Sequence, residues 1–213
     1  AMDLQQYIGL LSKDYQGLRL YASNNIVPTK DIVLTVDVEK VKSMGIIPEG
    51  MDSLVVPQML LRVKGNALEK KDLALLDLLL SNNWERPLYV NNTSLEQFNI
   101  DLRPYVVLEG NTYRILPILN RNPRTRLVNT KVAYENMIKK FQFRGLDNPS
   151  AYFSQDYRNF VLNHRGAFNE LADALLEKGE KEKAREGVLF SLEKMPNKSI
   201  PYDVSNARNV EML

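Results

Sequence analysis

The sequence contains no cysteine and a single histidine among its 213 residues. The absence of cysteine excludes disulfide bonds, thiolate catalysis and cysteine-ligated metal sites. His164 has no second histidine with which to form a metal cluster or an evident catalytic pair, so we interpret it as an ordinary structural or surface residue.

Signatures of cofactor binding and catalysis are also missing. The chain has no glycine-rich phosphate loop, dinucleotide fingerprint, His-Glu-x-x-His motif or nucleophile elbow. Its carboxylates show no spacing that singles out a pair for acid–base work. We therefore expect no cofactor and no metal, and we assign no catalytic residue.

Long apolar runs and a strong charge of one sign are absent as well. No segment approaches the roughly 20 apolar residues that span a bilayer, and the start of the chain lacks the features of a signal peptide. Ala1 precedes Met2, which suggests an excised segment or an expression scar. The net charge is only +2, from 28 basic and 26 acidic side chains, so we expect no nucleic-acid partner.

The first half of the chain alternates between strand-like and helix-like patterns. Two N-cap patterns, at Asn66 with Glu69 and at Ser94 with Gln97, predict where two of the helices begin. Gly110-Asn111 separates two β-rich runs and predicts a hairpin. The predicted strands are 31–36, 59–64, 87–90, 105–109 and 112–116, and the predicted helices are 4–11, 38–44, about 66–80 and a short one from Ser94. This order predicts an α/β layered domain with a mixed, partly parallel sheet over residues 1–128.

The pattern changes after about Arg126, where the strand signal stops. Helices are predicted at 131–143, 152–163, 165–178 and 181–195, which gives an all-α region over residues 129–213. Apolar and small residues followed by Gly179 and Pro196 have the spacing of a tetratricopeptide repeat, although a generic helical hairpin is the alternative. The candidate partner-binding residues of this hairpin are Phe168, Leu171, Leu175, Ala184 and Val188.

Aromatic residues in the first domain allow two interpretations. Trp84, Tyr89, Tyr105 and Tyr113 could form a platform for a carbohydrate, or they could pack in the core. We favour core packing.

Three ordered segments identify a family resemblance. They are Asn83-Trp84-x-Arg86-Pro87-Leu88-Tyr89, then Leu108-Glu109-Gly110-x-x-Tyr113-Arg114-Ile115-x-Pro117, then Phe141-x-Phe143-x-Gly145-Leu146-Asp147-Asn148-Pro149. Together they resemble the extracytoplasmic C-terminal region of a membrane-protein family of unknown function that is common in Bacteroidetes. That family is similar to protein O-mannosyltransferases and to glycosyltransferases of the GT-C type.

The resemblance implies a division of labour within a longer protein. A multi-spanning membrane domain would hold the catalytic carboxylate and the lipid-linked sugar donor, so no catalytic residue is carried over to this chain. The chain itself would be a periplasmic accessory domain whose partners are that membrane domain and, in addition, acceptor polypeptides. The motif residues would be structural: Trp84, Arg86, Pro87, Tyr89, Glu109, Gly110, Tyr113, Arg114, Pro117, Gly145, Asp147, Asn148 and Pro149.

Two other functions stay open at this point. The chain could be a stand-alone interaction module that binds peptides through its tetratricopeptide-like helices. It could also be an enzyme acting on carbohydrate in a pocket of the α/β domain. The accessory-domain reading is favoured because the family motifs occur in order while catalytic signatures are missing.

Overall fold

The computed structural model describes residues 1–11, 19–21, 24–25, 29–122 and 124–203. It divides into two compact units. The first unit comprises Ala1–Val106 and Arg114–Arg124, and the second comprises Val107–Tyr113 and Thr125–Leu213. The structure thus groups Val107–Tyr113 with the C-terminal residues, whereas the predicted division at residue 128 places this segment in the α/β domain.

The first unit is built on a mixed four-stranded sheet with the order β1-β4-β5-β7. Its strands are β1 (Met2–Asp3), β4 (Asp31–Thr35), β5 (Gln58–Val63) and β7 (Ile100–Asp101). The pair β1–β4 is parallel, and the pairs β4–β5 and β5–β7 are antiparallel. The predicted mixed, partly parallel sheet is therefore confirmed.

Four helices belong to the first unit: α1 (Leu4–Leu11), α2 (Val38–Ser43), α3 (Lys70–Asn82) and α4 (Asn92–Gln97). Helix α1 packs against β4 and α3. Strand β5 alternates buried and exposed residues along its length, with Met59, Leu61 and Val63 facing the core, because successive side chains of a strand point to opposite faces. A short antiparallel pair, β2 (Arg19–Tyr21) and β3 (Asn24–Asn25), lies between α1 and β4 in the chain.

Two predicted helix starts are wrong by about one turn. Helix α3 begins after Glu69 rather than after Asn66, and the buried Asp72 explains this position. Its carboxylate accepts hydrogen bonds from the backbone N–H of Glu69 (2.8 Å) and from Asn99. Helix α4 begins after Asn91, whose side chain accepts from the N–H of Ser94 at 2.7 Å, so Ser94 lies inside the first turn instead of capping it.

A second sheet contains only short strands, in the order β10-β8-β9-β6. They are β6 (Tyr89–Val90), β8 (Val106–Leu108), β9 (Tyr113–Ile115) and β10 (Leu127–Val128). The predicted hairpin is present: β8 and β9 are neighbours, and Glu109 N–H donates to the carbonyl of Thr112 across the turn (3.1 Å). Strand β10, which pairs in parallel with β8, corrects the expectation that strands end at Arg126.

The second unit is mainly helical after β10. It contains α5 (Thr130–Tyr134), which continues as a π-helix over Glu135–Lys140, then α6 (Gln155–Glu177) and α7 (Lys181–Lys194). Helices α6 and α7 form the predicted helical hairpin, with Gly179 in the turn at φ +77°. The predicted separate helices 152–163 and 165–178 are one continuous helix of 23 residues. No proline separates the two predicted helices. Arg165 and Phe168, which lie close to the expected break, are both buried.

Candidate functional site

The second unit contains an open cleft with a volume of about 340 Å³. Its walls come from the Gly110-Asn111 turn, from the segment after the π-helix, and from one face of α6. The lining residues are Asn111, Phe141, Gln142, Phe143, Arg144, Leu146, Tyr157 and His164. The third motif of the sequence, from Phe141 onward, therefore supplies most of the cleft.

The π-helix and the turn that follows it position this motif. The π-helix ends where Phe141 becomes extended, with φ −70° and ψ 144°. Single turns of π-helix occur often at functional sites because the extra residue changes the direction of the side chains that follow. Gly145, at φ +76°, then reverses the chain, and Asn148 N–H donates to its carbonyl (3.3 Å). Leu146 is buried beside the cleft, while Asp147, Asn148 and Pro149 are exposed.

The opposite wall of the cleft, formed by the Gly110-Asn111 turn, is connected to the start of α5 by hydrogen bonds of the second motif. Glu109 is buried, with 5% of its surface exposed, and its Oε1 accepts from Asn129 Nδ2 at 2.9 Å. The carbonyl of Glu109 accepts from Asn136 Nδ2 at 2.8 Å. Gly110 follows at φ +138°, and a Cβ there would lie only 3.1 Å from Cζ of Phe141. The motif therefore uses glycine where a side chain would press on the cleft wall.

Two residues that line the cleft, Phe143 and His164, belong to an aromatic cluster. The ring of Phe143 lies 6.1 Å from the ring of His164, 5.9 Å from Phe168 and 6.0 Å from Phe190, measured between centroids. Burial lowers the pKa of His164 below its ordinary value, because the imidazolium loses hydration in this apolar setting. His164 is therefore neutral at pH 7 and offers one donor nitrogen and one acceptor nitrogen.

The cleft has the chemistry of a binding site. Its polar lining consists of two amides, an imidazole, a phenol and the guanidinium of Arg144, and no carboxylate is among the lining residues. Across the residues that the structure describes, no three His, Cys, Asp or Glu side chains are grouped to hold a metal ion. The arrangement can donate and accept several hydrogen bonds to a small polar ligand.

A second polar cluster joins β9 to α6. The hydroxyl of Tyr113 lies 3.1 Å from both carboxylate oxygens of Glu170, and Arg126 lies 3.6 Å from Glu170 and over the ring of Tyr113. Burial raises the pKa of Tyr113 and of Glu170, while Arg126 opposes both shifts. Tyr113, a family-motif residue, thus connects β9 to the long helix α6 through a hydrogen bond.

The first motif lies in the first unit and is largely at the surface. Arg86 and Pro87 are exposed and Tyr89 is 47% exposed, whereas Trp84 is half-buried. Asn83 ends α3 in the left-handed conformation at φ 47°, and Trp84 follows at φ 66°. Left-handed backbone is uncommon for a bulky aromatic residue, so the segment makes a tight, specific turn after the helix. The Asn82 side chain fixes this turn by bonding both the N–H and the carbonyl of Arg86.

The remaining motif residues and the other tyrosine are in the interior or near it. Pro117 is buried, and its carbonyl accepts from Val56 N–H at 3.0 Å, while Arg114 is half-buried. Tyr105 is 4% exposed, and its hydroxyl accepts from Leu60 N–H at 2.7 Å. Tyr105 and Tyr113 therefore pack in the core, as predicted, whereas the prediction of core packing is wrong for Tyr89, which is 47% exposed.

The five candidate partner-binding residues of the hairpin are buried. Phe168, Leu171, Leu175, Ala184 and Val188 are each only 1–2% exposed. They form the contact between α6 and α7 and the packing beneath it, so a partner cannot reach them in this fold. If the hairpin binds a partner, it does so through other side chains, such as Leu176 and Leu189, which are 43% and 41% exposed.

Arg165 is the most consequential residue that the sequence reasoning missed. It is completely buried, and its Nη2 donates to the carbonyls of Met195 (2.7 Å) and Ile200 (2.6 Å). The ring of Tyr202 covers it at 4.1 Å. No local pattern identifies such a residue, because its acceptors are backbone atoms about 30 positions further along the chain. The cleft residues Asn111 and Gln142 carried no signal of their own either.

The fold and the cleft together define the class of protein: an α/β unit in which strands and helices alternate, followed by a helical unit with a polar cleft. The chain belongs to the family described as TMEM260-associated domain 2, whose model matches residues 1–133. No curated protein and no solved structure matches the chain. The match includes the motifs around Trp84 and Glu109, and it stops before the motif that begins at Phe141.

This membership confirms the coarser part of the resemblance. The chain carries a domain that is associated with a TMEM260-like membrane protein. Among the residues described by the structure, no helix combines the length and the apolar character needed to cross a bilayer.

Proposed function

We propose that the chain is a non-catalytic accessory domain of a membrane glycosyltransferase similar to protein O-mannosyltransferases, and that it helps to recognise the acceptor polypeptide. The observation that carries the proposal is the family match over residues 1–133, which ties the chain to a TMEM260-like membrane protein. In this proposal the domain lies on the periplasmic side of a bacterial inner membrane, as in the Bacteroidetes family it resembles. Its partners are its own membrane-spanning domain and the acceptor.

A surface of the second unit supports acceptor recognition. We call Tyr152, Tyr157 and Phe160 the aromatic strip; they are 88%, 52% and 60% exposed. Tyr157 and Phe160 are three residues apart and so lie on one side of α6. Exposed aromatic groups of this kind mark interaction surfaces, because rings contribute a large contact area at a small loss of side-chain entropy.

The intact membrane protein provides the test. We would measure transfer of the sugar to a folded protein acceptor and to a short peptide acceptor, for the wild type and for the double variant Tyr152→Ser/Phe160→Ser. Losing two exposed aromatic contacts should raise KM for the folded acceptor about tenfold or more. The kcat with the short peptide should be unchanged, since the reaction centre is elsewhere.

The control is Leu189→Ser, which removes a 41% exposed apolar side chain from α7. Equal effects of the two variants, or a normal KM after removal of the whole chain, would show that the domain does not recognise the acceptor. An intact reading frame without several membrane spans would refute the parent assignment.

The helical hairpin favours a second candidate function, a stand-alone module that binds peptides. The α6–α7 pair exposes Leu176 and Leu189, and a groove of about 470 Å³ along α7 is lined by Leu189, Phe190 and charged side chains. In that case the isolated 213-residue chain should bind its partner without any membrane portion. Substituting Leu189 with serine should abolish the binding while leaving the thermal melt intact.

A further inference from the structure

We propose that the cleft of the second unit is a binding site for a single hexopyranose or a short glycan. The choice of mannose as the first sugar to test depends on the proposed function. The sugar-binding chemistry itself is argued from the cleft.

The size of the cleft favours a small ligand. A volume of about 340 Å³ lies at the lower end of the range of small-molecule pockets. A polypeptide helix or strand needs a longer apolar groove or a free sheet edge. The cleft is instead compact and bounded by polar side chains, which fits one or two sugar rings better than an extended peptide.

Two aromatic rings at the rim provide the apolar contact that sugars use. Phe141 and Tyr157 line the cleft and are 37% and 52% exposed, so part of each ring is available to a ligand. The face of an aromatic ring carries partial negative charge and attracts the weakly positive C–H groups on one side of a pyranose. Tyr157 is held in position by stacking on Phe153, at 5.7 Å between centroids.

The polar side chains match hydroxyl groups. A sugar hydroxyl both donates and accepts, and Asn111, Gln142 and neutral His164 each offer one or more donors and an acceptor. Arg144 is the single ionised side chain in the lining. A phosphate or a polyanion would be matched better by several cations, whereas a neutral polyol needs only one donor group of this kind.

An unsatisfied atom in the wall points to a ligand with donors. Oδ1 of Asn111 is buried and has no hydrogen-bond partner among the described residues. An unpaired buried acceptor costs roughly 1–3 kcal/mol, so native structures seldom keep one without a reason.

The experiment is a titration of the 213-residue chain with methyl α-D-mannopyranoside, followed by ligand-observed NMR. We expect saturable binding with a Kd of the order of millimolar, typical of a small ligand with few buried atoms. Gln142→Ala and Tyr157→Ala should each weaken binding about fivefold or more, since each removes one contact. Both positions are exposed, and thermal melts would show that the variants keep the wild-type fold.

Tyr89→Ala is the matched control. It removes a 47% exposed tyrosine that does not line the cleft, so sugar binding should be unchanged. The proposal is overturned if neither the mannoside nor the corresponding glucoside or galactoside gives saturable binding, or if the control loses as much affinity as Tyr157→Ala. It is also overturned if an unglycosylated Ser/Thr-rich peptide binds in the cleft and the sugar does not.

Additional measurements test the sugar-binding site separately from the proposed role in acceptor recognition. Binding of methyl α-D-glucopyranoside or methyl α-D-galactopyranoside with no binding of the mannoside would support a sugar site and count against mannose. Normal acceptor use by the intact membrane protein carrying Gln142→Ala, together with lost sugar binding by the isolated chain, would leave the sugar site standing and would argue that acceptor recognition does not involve it.

Discussion

At the scale of single residues, the most unusual feature is a buried arginine whose strong hydrogen bonds go to main-chain carbonyls. Arg165 holds Met195 and Ile200 through Nη2, and it also lies within 3.5 Å of the carbonyls of Pro196 and Pro201. Burial lowers the pKa of its guanidinium, but arginine still carries its charge at neutral pH. The surrounding carbonyl dipoles offset part of the cost of desolvating this charge, although Nε of Arg165 is buried without a hydrogen-bond partner among the described residues.

Replacing Arg165 with methionine should therefore destabilise the protein. The substitution removes the cost of burying a charge, but it leaves two or more carbonyl groups without donors, and the second effect should dominate. We expect a loss of about 3 kcal/mol in the free energy of unfolding, measured by urea denaturation. Arg185→Met, at an exposed position on α7, is the control and should change stability by less than about 0.5 kcal/mol. Equal losses in both variants would contradict the role given to Arg165.

His164 gives a pH dependence that can be predicted in sign. Its pKa is lowered in the fold, so the unfolded chain binds the proton more readily. Its contribution to stability is fully present above the unfolded pKa of about 6.5 and is lost as the pH falls through the folded pKa. Thermal melts from pH 7.5 downward should therefore show a smaller loss of stability for His164→Gln than for the wild type.

The difference in stability between the wild type and His164→Gln measures the contribution of His164 alone. Glu170 has a raised pKa, so its contribution has the opposite sign, but it is present in both proteins and cancels in the difference. Parallel curves for wild type and variant would show that His164 is not buried as a neutral group.

At the scale of secondary-structure elements, the sequence patterns correctly predicted those helix ends that depend on residues close by in the chain. The bounds of α1 agree with the amphipathic run 4–11, and α7 ends just before Pro196, as expected from a residue that cannot continue a helix. The starts of α3 and α4 were misplaced because several residues near each start can cap a helix. For α3 the choice is made by Asp72, whose second partner, Asn99, is 27 residues away.

The Gly110 turn allows a prediction about an element. Gly110→Ala should destabilise the protein by about 1–3 kcal/mol, because a φ of +138° is strained for a residue with a side chain. The new Cβ would also press on the ring of Phe141 in the cleft wall. Chemical denaturation measures the loss. Gly9→Ala, in helix α1 where a Cβ meets nothing within 4 Å, should be neutral or slightly stabilising; a similar loss there would argue against this explanation.

At the scale of the whole molecule, the division into units was the part that the sequence could least predict. The segment Val107–Tyr113 belongs to a strand hairpin by its pattern, yet its side chains are partners of the helical region. Glu109 bonds Asn129 and Tyr113 bonds Glu170 across 20 and 57 residues. Pairings at that distance depend on the complete fold and leave no periodic signal.

The same contacts predict how fragments behave. A fragment of residues 129–213 lacks Glu109, Tyr113 and both strands of the β8–β10 pair, so its buried polar groups lose their partners. We expect it to melt without cooperativity, while a fragment of residues 107–213 shows a cooperative transition by circular dichroism. A cooperative melt of 129–213 at the same temperature would instead support the sequence-based boundary at residue 128.

The cleft could not have been found from the sequence for a similar reason. Its residues come from three separate segments, and none of them belongs to a recognised chemical motif. The motif around Phe141 was identified through its resemblance to a family, and only the fold shows that Phe141 and Gln142 face the same space as Asn111 and His164. The family resemblance identified the segment that begins at Phe141, but its place in the cleft depends on residues that are distant in the sequence.

The hydrogen bonds from Arg165 to main-chain carbonyls also determine which positions of the protein tolerate mutation. Because the guanidinium bonds main-chain oxygens, most side chains between Met195 and Pro201 can change without removing a single acceptor. The main-chain contacts of this segment thus depend on one residue of α6, while exposed positions of the segment such as Lys198 are comparatively free to vary. In a library that randomises every position, substitutions at Arg165 should be depleted far more strongly than those at the exposed Lys198.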